Sequence, residues 1–104
     1  MIEEIARAVI KCGAVCRLHG VNRVCISSIL PKKGYKSQLA IKHINDQISK
    51  MCKECNFDFI PNDNILFEEI RYKEYTLFYS NGVYLNDAGR QLLMKNFVHY
   101  LNID

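Results

Sequence analysis

Four of the five cysteines have spacings that could serve redox chemistry or zinc binding. Cys52 and Cys55 form a Cys-x-x-Cys pair, and Cys12 with Cys16 could supply two further ligands. The Cys52/Cys55 pair ends a predicted helix, whereas a redox pair belongs at a helix start, where the thiolate is stabilised. Cysteine in apolar periodic segments acts as a small hydrophobe. We therefore expect reduced, core-facing thiols, without metal or cofactor.

The three histidines, His19, His43 and His99, lack acidic partners at any recognisable motif spacing. His43 falls on the polar side of a predicted helix. His19 borders a predicted helix end, where a positive charge suits the helix dipole. We expect none of the three to be catalytic.

Three serines, Ser27, Ser28 and Ser80, are nucleophile candidates by residue type alone. None stands in the strained strand-to-helix turn that exposes a nucleophilic hydroxyl. We expect Ser27 and Ser28 to lie at the end of a strand, with their side chains bonded to the backbone.

The elements that must position these residues follow from apolar spacing and turn residues. Helices are predicted at residues 2–19, 37–56 and 87–101, and strands at residues 23–30 and 57–60. Ser37 and Asn86 are predicted N-caps, and Gly20 is a predicted helix stop. The aromatic stretch from residue 65 to 79 is predicted as a loop with short elements.

Each predicted helix has an apolar face that should be buried. In the first helix this face comprises Ile2, Ile5, Ala6, Val9, Ile10, Gly13 and Cys16. In the second helix it comprises Ile41, Ile44, Ile48, Met51 and Cys55, with Lys42, Asp46 and Lys50 away from it. In the third helix it comprises Leu93, Phe97 and Leu101.

The order of elements is α, β, α, β, long loop, α, which is typical of a doubly wound α/β sheet. The short apolar strands between helices predict parallel pairing with helices on both faces. Right-handed crossover connections would place the intervening helix on one face. We expect residues 1–104 to form a single α/β domain with a parallel sheet.

Composition excludes several function classes. The net charge is only +3, from 14 Lys and Arg against 11 Asp and Glu, and Lys32-Lys33 is the only adjacent basic pair. A nucleic-acid binder usually has a basic face with aromatic residues between the charges, and the sequence shows no such pattern. We therefore expect no binding to nucleic acid. No apolar run is long enough for a signal peptide or a membrane span. We expect a cytoplasmic protein.

Four segments resemble the second half of SGNH (GDSL-type) serine hydrolases. They are residues 26–31, 43–48, 55–60 and, above all, 80–89, which resemble the family's last block, Asp-Gly-x-His-Leu-Asn-x-x-Gly. The resemblance implies the C-terminal portion of a three-layer α/β/α, flavodoxin-like SGNH hydrolase fold.

In that family the last block supplies the catalytic Asp and His, and the matching positions here are Asn81 and Tyr84. A phenol, with a pKa of about 10, is a poor base near pH 7. In a related triad the Asp-to-Asn change alone costs roughly 10⁴ in turnover. The family's Gly-Asp-Ser nucleophile block and its oxyanion-hole motifs do not occur in residues 1–104. The resemblance therefore implies a truncated, inactive SGNH-type domain.

Two further alternatives stay open. The turn at Asn81 and Tyr84 either serves to start the last helix or, with Tyr79 and Phe78, forms a small binding pocket. Without upstream strands, the edge of the strand at residues 23–30 would be uncovered, and such edges invite pairing. The chain could therefore be an interaction module that pairs with another copy or with a missing N-terminal half.

Overall fold

The computed structural model describes residues 2–31, 35–65 and 85–101. Its elements are α1 (Ile2–Leu18), β1 (Cys25–Ser27), α2 (Tyr35–Cys55), β2 (Asp58–Ile60) and α3 (Asp87–Leu101). The predicted order of helices and strands is therefore confirmed.

The two strands pair in parallel, with Cys25 opposite Asp58 and Ile26 opposite Phe59. β1 is shorter than predicted because the backbone of Ile29 leaves the ladder. The Ile29 N–H donates to Oδ1 of Asn45 at 2.7 Å, and Nδ2 of Asn45 donates to the Ile29 carbonyl at 2.9 Å. A side-chain amide in α2 thus replaces a strand partner at the end of β1.

Helices cover both faces of this sheet. Ile26 and Phe59 pack against a cluster shared by α1 and α2. Its buried members are Ala6, Val24, Ile44, Ile48, Cys52 and Phe57. The alternate residues point to the opposite face. There Asp58 pairs with Arg23, which also donates to the Tyr100 carbonyl in α3 at 3.2 Å. The predicted α/β architecture is confirmed.

A second apolar cluster fixes the orientation of α3. Ile65 is buried, and Leu30, Leu85, Leu92 and Leu93 pack against it. Leu30 follows β1 and Ile65 follows β2, so the cluster brings the first turns of α3 to the carboxyl ends of both strands.

Two helices end in left-handed residues that close their last turns. Gly20 has φ +90°, and the N–H of Val21 donates to the Cys16 carbonyl at 3.2 Å. Asn56 has φ +60°, and the N–H of Phe57 donates to the Cys52 carbonyl at 2.9 Å. These are the bonds of the Schellman motif. The predicted stop at Gly20 is confirmed.

The two predicted N-caps have different outcomes. Asn86 caps α3, since its Oδ1 accepts the N–H of Gly89 at 2.9 Å. The prediction for Ser37 is wrong, because α2 begins two residues earlier, at Tyr35. The backbone N–H groups of the whole first turn lack partners within the helix, so a side chain that accepts hydrogen bonds can serve at any of these positions. A capping residue type in the sequence therefore predicts the first residue of a helix only to within about one turn.

The predicted helix faces are partly wrong. In α1, Ala6 and Gly13 are buried, but Ile5 and Cys16 are exposed, because α1 packs against other elements along one narrow side. In α2, Cys52 is buried in line with Ile44 and Ile48, whereas the predicted Cys55 is exposed where the helix ends. In α3, Leu93, Phe97 and Leu101 are half-buried, and the buried residues are Gly89 and Asn96.

A glycine permits the close packing of α1 on the sheet. A Cβ at Gly13 would lie 2.8 Å from Cε2 of Phe57 and 3.1 Å from Cγ1 of Val24. Real Cβ atoms do not approach a ring carbon this closely, so any larger residue would push α1 away from Phe57. Gly13 therefore serves helix–sheet contact rather than flexibility.

Candidate functional site

Three polar side chains are buried near the carboxyl ends of the strands, where α/β proteins generally bind ligands. They are Ser28, Asn62 and Asn96, each at most 9% exposed. Ser28 follows β1, Asn62 follows β2, and Asn96 lies in α3. The site therefore joins both strand ends to the last helix.

Asn62 holds the two serine hydroxyls at the end of β1. Its Nδ2 donates to Oγ of Ser27 at 2.9 Å and to Oγ of Ser28 at 3.1 Å. Its backbone N–H also donates to Oγ of Ser28 at 3.1 Å. Oγ of Ser27 in turn donates to the Ser28 carbonyl at 3.1 Å. Both serines are bonded to the backbone, as the sequence predicts.

Asn96 connects this arrangement to α3. Its Nδ2 donates to Oδ1 of Asn62 at 2.8 Å and to Oδ1 of Asn64 at 2.9 Å. Nδ2 of Asn64 returns a bond to Oδ1 of Asn96 at 3.0 Å. No buried side-chain N or O among the described residues lacks a hydrogen-bond partner. A fully satisfied polar network of this kind favours a single arrangement of the elements that it joins.

A cleft of about 470 Å³ opens beside this network, between α2 and the loops that follow the strands. Its lining combines hydroxyl and amide groups with aliphatic side chains, and includes Ser28, Ile29, Ile41, Asn45, Asn62 and Ile65. Lys42 and Asp46 also border it and form an ion pair at 3.6 Å. This volume would admit a small molecule. The lining offers hydrogen bonds and apolar contact to such a molecule.

The described geometry does not activate Ser27 or Ser28 as a nucleophile. Activation requires a base that accepts the hydroxyl proton. The hydroxyl of Ser28 instead accepts two bonds from N–H groups of Asn62, and Ser27 donates to a carbonyl. Within residues 2–31, 35–65 and 85–101, no histidine is hydrogen-bonded to either serine.

The histidines lie away from this network. His19 is exposed at the end of α1, where its Nδ1 contacts the Val15 carbonyl at 2.9 Å. His43 is exposed on α2, as predicted for a residue on its polar side. His99 is exposed near the end of α3, with its ring edge-on to Tyr100 at 5.2 Å.

The cysteines are free, but most of them do not face the core. Cys12, Cys16 and Cys55 are exposed, so the prediction of core-facing thiols is wrong for these three. Cys52 is buried, and burial raises the pKa of its thiol, with smaller contributions from Cys55 and Asp58. In the part of the chain that the structure describes, no three His, Cys, Asp or Glu side chains come together as a metal site.

The positions that the sequence singles out before α3 lie outside the described residues. They are Phe78, Tyr79, Ser80, Asn81 and Tyr84. The described neighbours show that α3 begins with the Asn86 cap and that Leu85 packs near Ile65.

Sequence reasoning missed the arginines that tie the elements together. Arg17 in α1 donates to the Cys55 and Asn56 carbonyls at 3.0 and 3.2 Å, and its guanidinium lies 4.8 Å from the centre of the Phe57 ring. Arg23 bonds Asp58 at 2.8 Å and holds the pKa of that carboxyl below its ordinary value. Both pairings span more than thirty residues, so no local pattern could reveal them.

Sequence reasoning also missed Asn45 and Asn96, because their hydrogen-bond partners are distant in sequence. Each lies within a helix, where an amide usually faces solvent. The one available signal is that Asn96 falls three residues after Leu93, on the apolar side of its helix. Asn62 follows Pro61 and precedes Asp63 and Asn64, and residue types of this kind favour an exposed turn rather than a buried position.

No protein-family model matches the sequence, and no curated protein matches it either. Among solved structures, the chain is similar to the esterase domain of the ORF1 protein from the zebrafish ZfL2-1 retrotransposon, with a TM-score of 0.73 and 25% sequence identity. The match covers 96% of this chain and 60% of that chain.

The likeness to that esterase domain extends over nearly the whole chain, which supports the α/β fold derived above. The chain nevertheless spans about 60% of that domain's length. Among the described helices, none is both long and apolar enough to cross a membrane.

Proposed function

We propose that residues 1–104 are a non-catalytic remnant or fragment of an SGNH-type serine esterase domain and correspond to its C-terminal part. The observation that carries this proposal is the structural similarity to an esterase domain over 96% of the chain. The SGNH-like segments, residues 26–31, 43–48, 55–60 and 80–89, supply the finer assignment.

Two substitutions remove the base and its orienting group. Asn81 and Tyr84 stand where the SGNH pattern has Asp and His. A tyrosine phenol, with an ordinary pKa of about 10, is a proton donor and a poor base near pH 7, so tyrosine is unsuited to the role of the histidine. The amide of Asn81 has no charge with which to stabilise an imidazolium, even if a histidine were restored beside it.

The nucleophile is also unaccounted for within residues 1–104. The sequence contains no Gly-Asp-Ser block. The hydroxyls of Ser27 and Ser28, which lie at the carboxyl end of β1, are engaged by Asn62 and by the backbone. Ser27, Ser28 and Asn62 thus hold the ends of the two strands together. This role supports the proposal that the chain keeps the fold of an esterase domain without its reaction centre.

The first test is hydrolysis of p-nitrophenyl acetate by the purified chain, together with labelling by a fluorophosphonate probe. We expect turnover equal to that of a denatured control, and no covalent label, because no serine is paired with a base. Ser27→Ala and Ser28→Ala variants serve as controls. Turnover that is blocked by the probe would contradict the proposal, and its loss in one serine variant would identify the nucleophile.

The alternative function is an interaction module that pairs with another chain through its sheet edge. It is favoured by the two-stranded sheet, since β1 pairs only with β2 among the described residues. Two strands rarely form a stable sheet in water without further strands or helical cover. The same chain could be both a degenerate esterase half and an interaction module.

A further inference from the structure

We draw no further inference here: the strongest candidate, the cleft between α2 and the loops that follow β1 and β2, belongs to the site already described, and the polar side chains of Ser28, Asn45 and Asn62 in its wall are bonded to one another or to the backbone, so they do not define the chemistry of a ligand.

Discussion

Asn96 shows how one side chain can connect the strands to the last helix. It is 9% exposed, and its amide bonds both Asn62 and Asn64, which follow β2. Buried amides are costly when unpaired, so a residue of this kind stabilises the fold only while each partner stays in place. Asn62 in turn donates hydrogen bonds to the hydroxyls of Ser27 and Ser28, so Asn96 is connected through Asn62 to the end of β1.

Replacing Asn96 should therefore destabilise the protein more than replacing an exposed amide of the same helix. We expect Asn96→Leu to lower the free energy of unfolding by about 1–3 kcal/mol, because Oδ1 of Asn62 and the amide of Asn64 lose their partners. Gln91→Leu, at an exposed position in α3, is the matched control and should change the free energy by less than about 0.5 kcal/mol. Urea denaturation measures both, and equal effects would contradict the network.

At the scale of elements, helix ends determine how the chain enters each strand. Gly20 and Asn56 both take left-handed backbone conformations, and each closes a helix two to five residues before a strand begins. The bond from the Phe57 N–H to the Cys52 carbonyl places Phe57 over Gly13, so the end of α2 also sets the contact between α1 and the sheet.

Asn56 offers a test of this account with opposite expectations for two substitutions. A left-handed conformation costs roughly 1–2 kcal/mol for an ordinary residue and little for glycine. We expect Asn56→Ala to lower the melting temperature, and Asn56→Gly to leave it unchanged or raise it. Thermal unfolding followed by circular dichroism is the measurement. If alanine were tolerated as well as glycine, the left-handed helix end would be unimportant to stability.

The sequence predicts elements whose signals are local. Gly20, Asn86 and the parallel strands follow from residue types that favour particular backbone conformations or apolar runs. The exposure of Cys16 and Cys55 could not be predicted, because it depends on which side of each helix has a partner. The Asn45–Ile29 and Asn62–Asn96 bonds join residues 16 and 34 positions apart, and no spacing rule applies to such pairs.

On the scale of the whole molecule, packing and hydrogen bonds connect all the described helices to the sheet. α1 and α2 cover one face of the sheet, α3 covers the other, and the Asn62 network joins them at the carboxyl ends of the strands. The similar retrotransposon esterase domain is longer, and this chain spans about 60% of it. The proposed loss of a reaction centre is compatible with a retained fold, because the described bonds of Ser27, Ser28, Asn62 and Asn96 join these side chains to one another and to the backbone.

The most direct test of the central claim is p-nitrophenyl acetate turnover by a fusion of this chain to the N-terminal half of an active SGNH hydrolase. The supplied half brings the serine and the oxyanion hole. With Asn81 and Tyr84 in place, we predict turnover no higher than that of the same fusion with its nucleophilic serine changed to alanine. With Asn81→Asp and Tyr84→His together, we predict turnover at least about 10³-fold higher, because the base and its orienting carboxylate return. A fusion that is equally active without the two changes, or a folded fusion that stays inactive with them, would contradict the account.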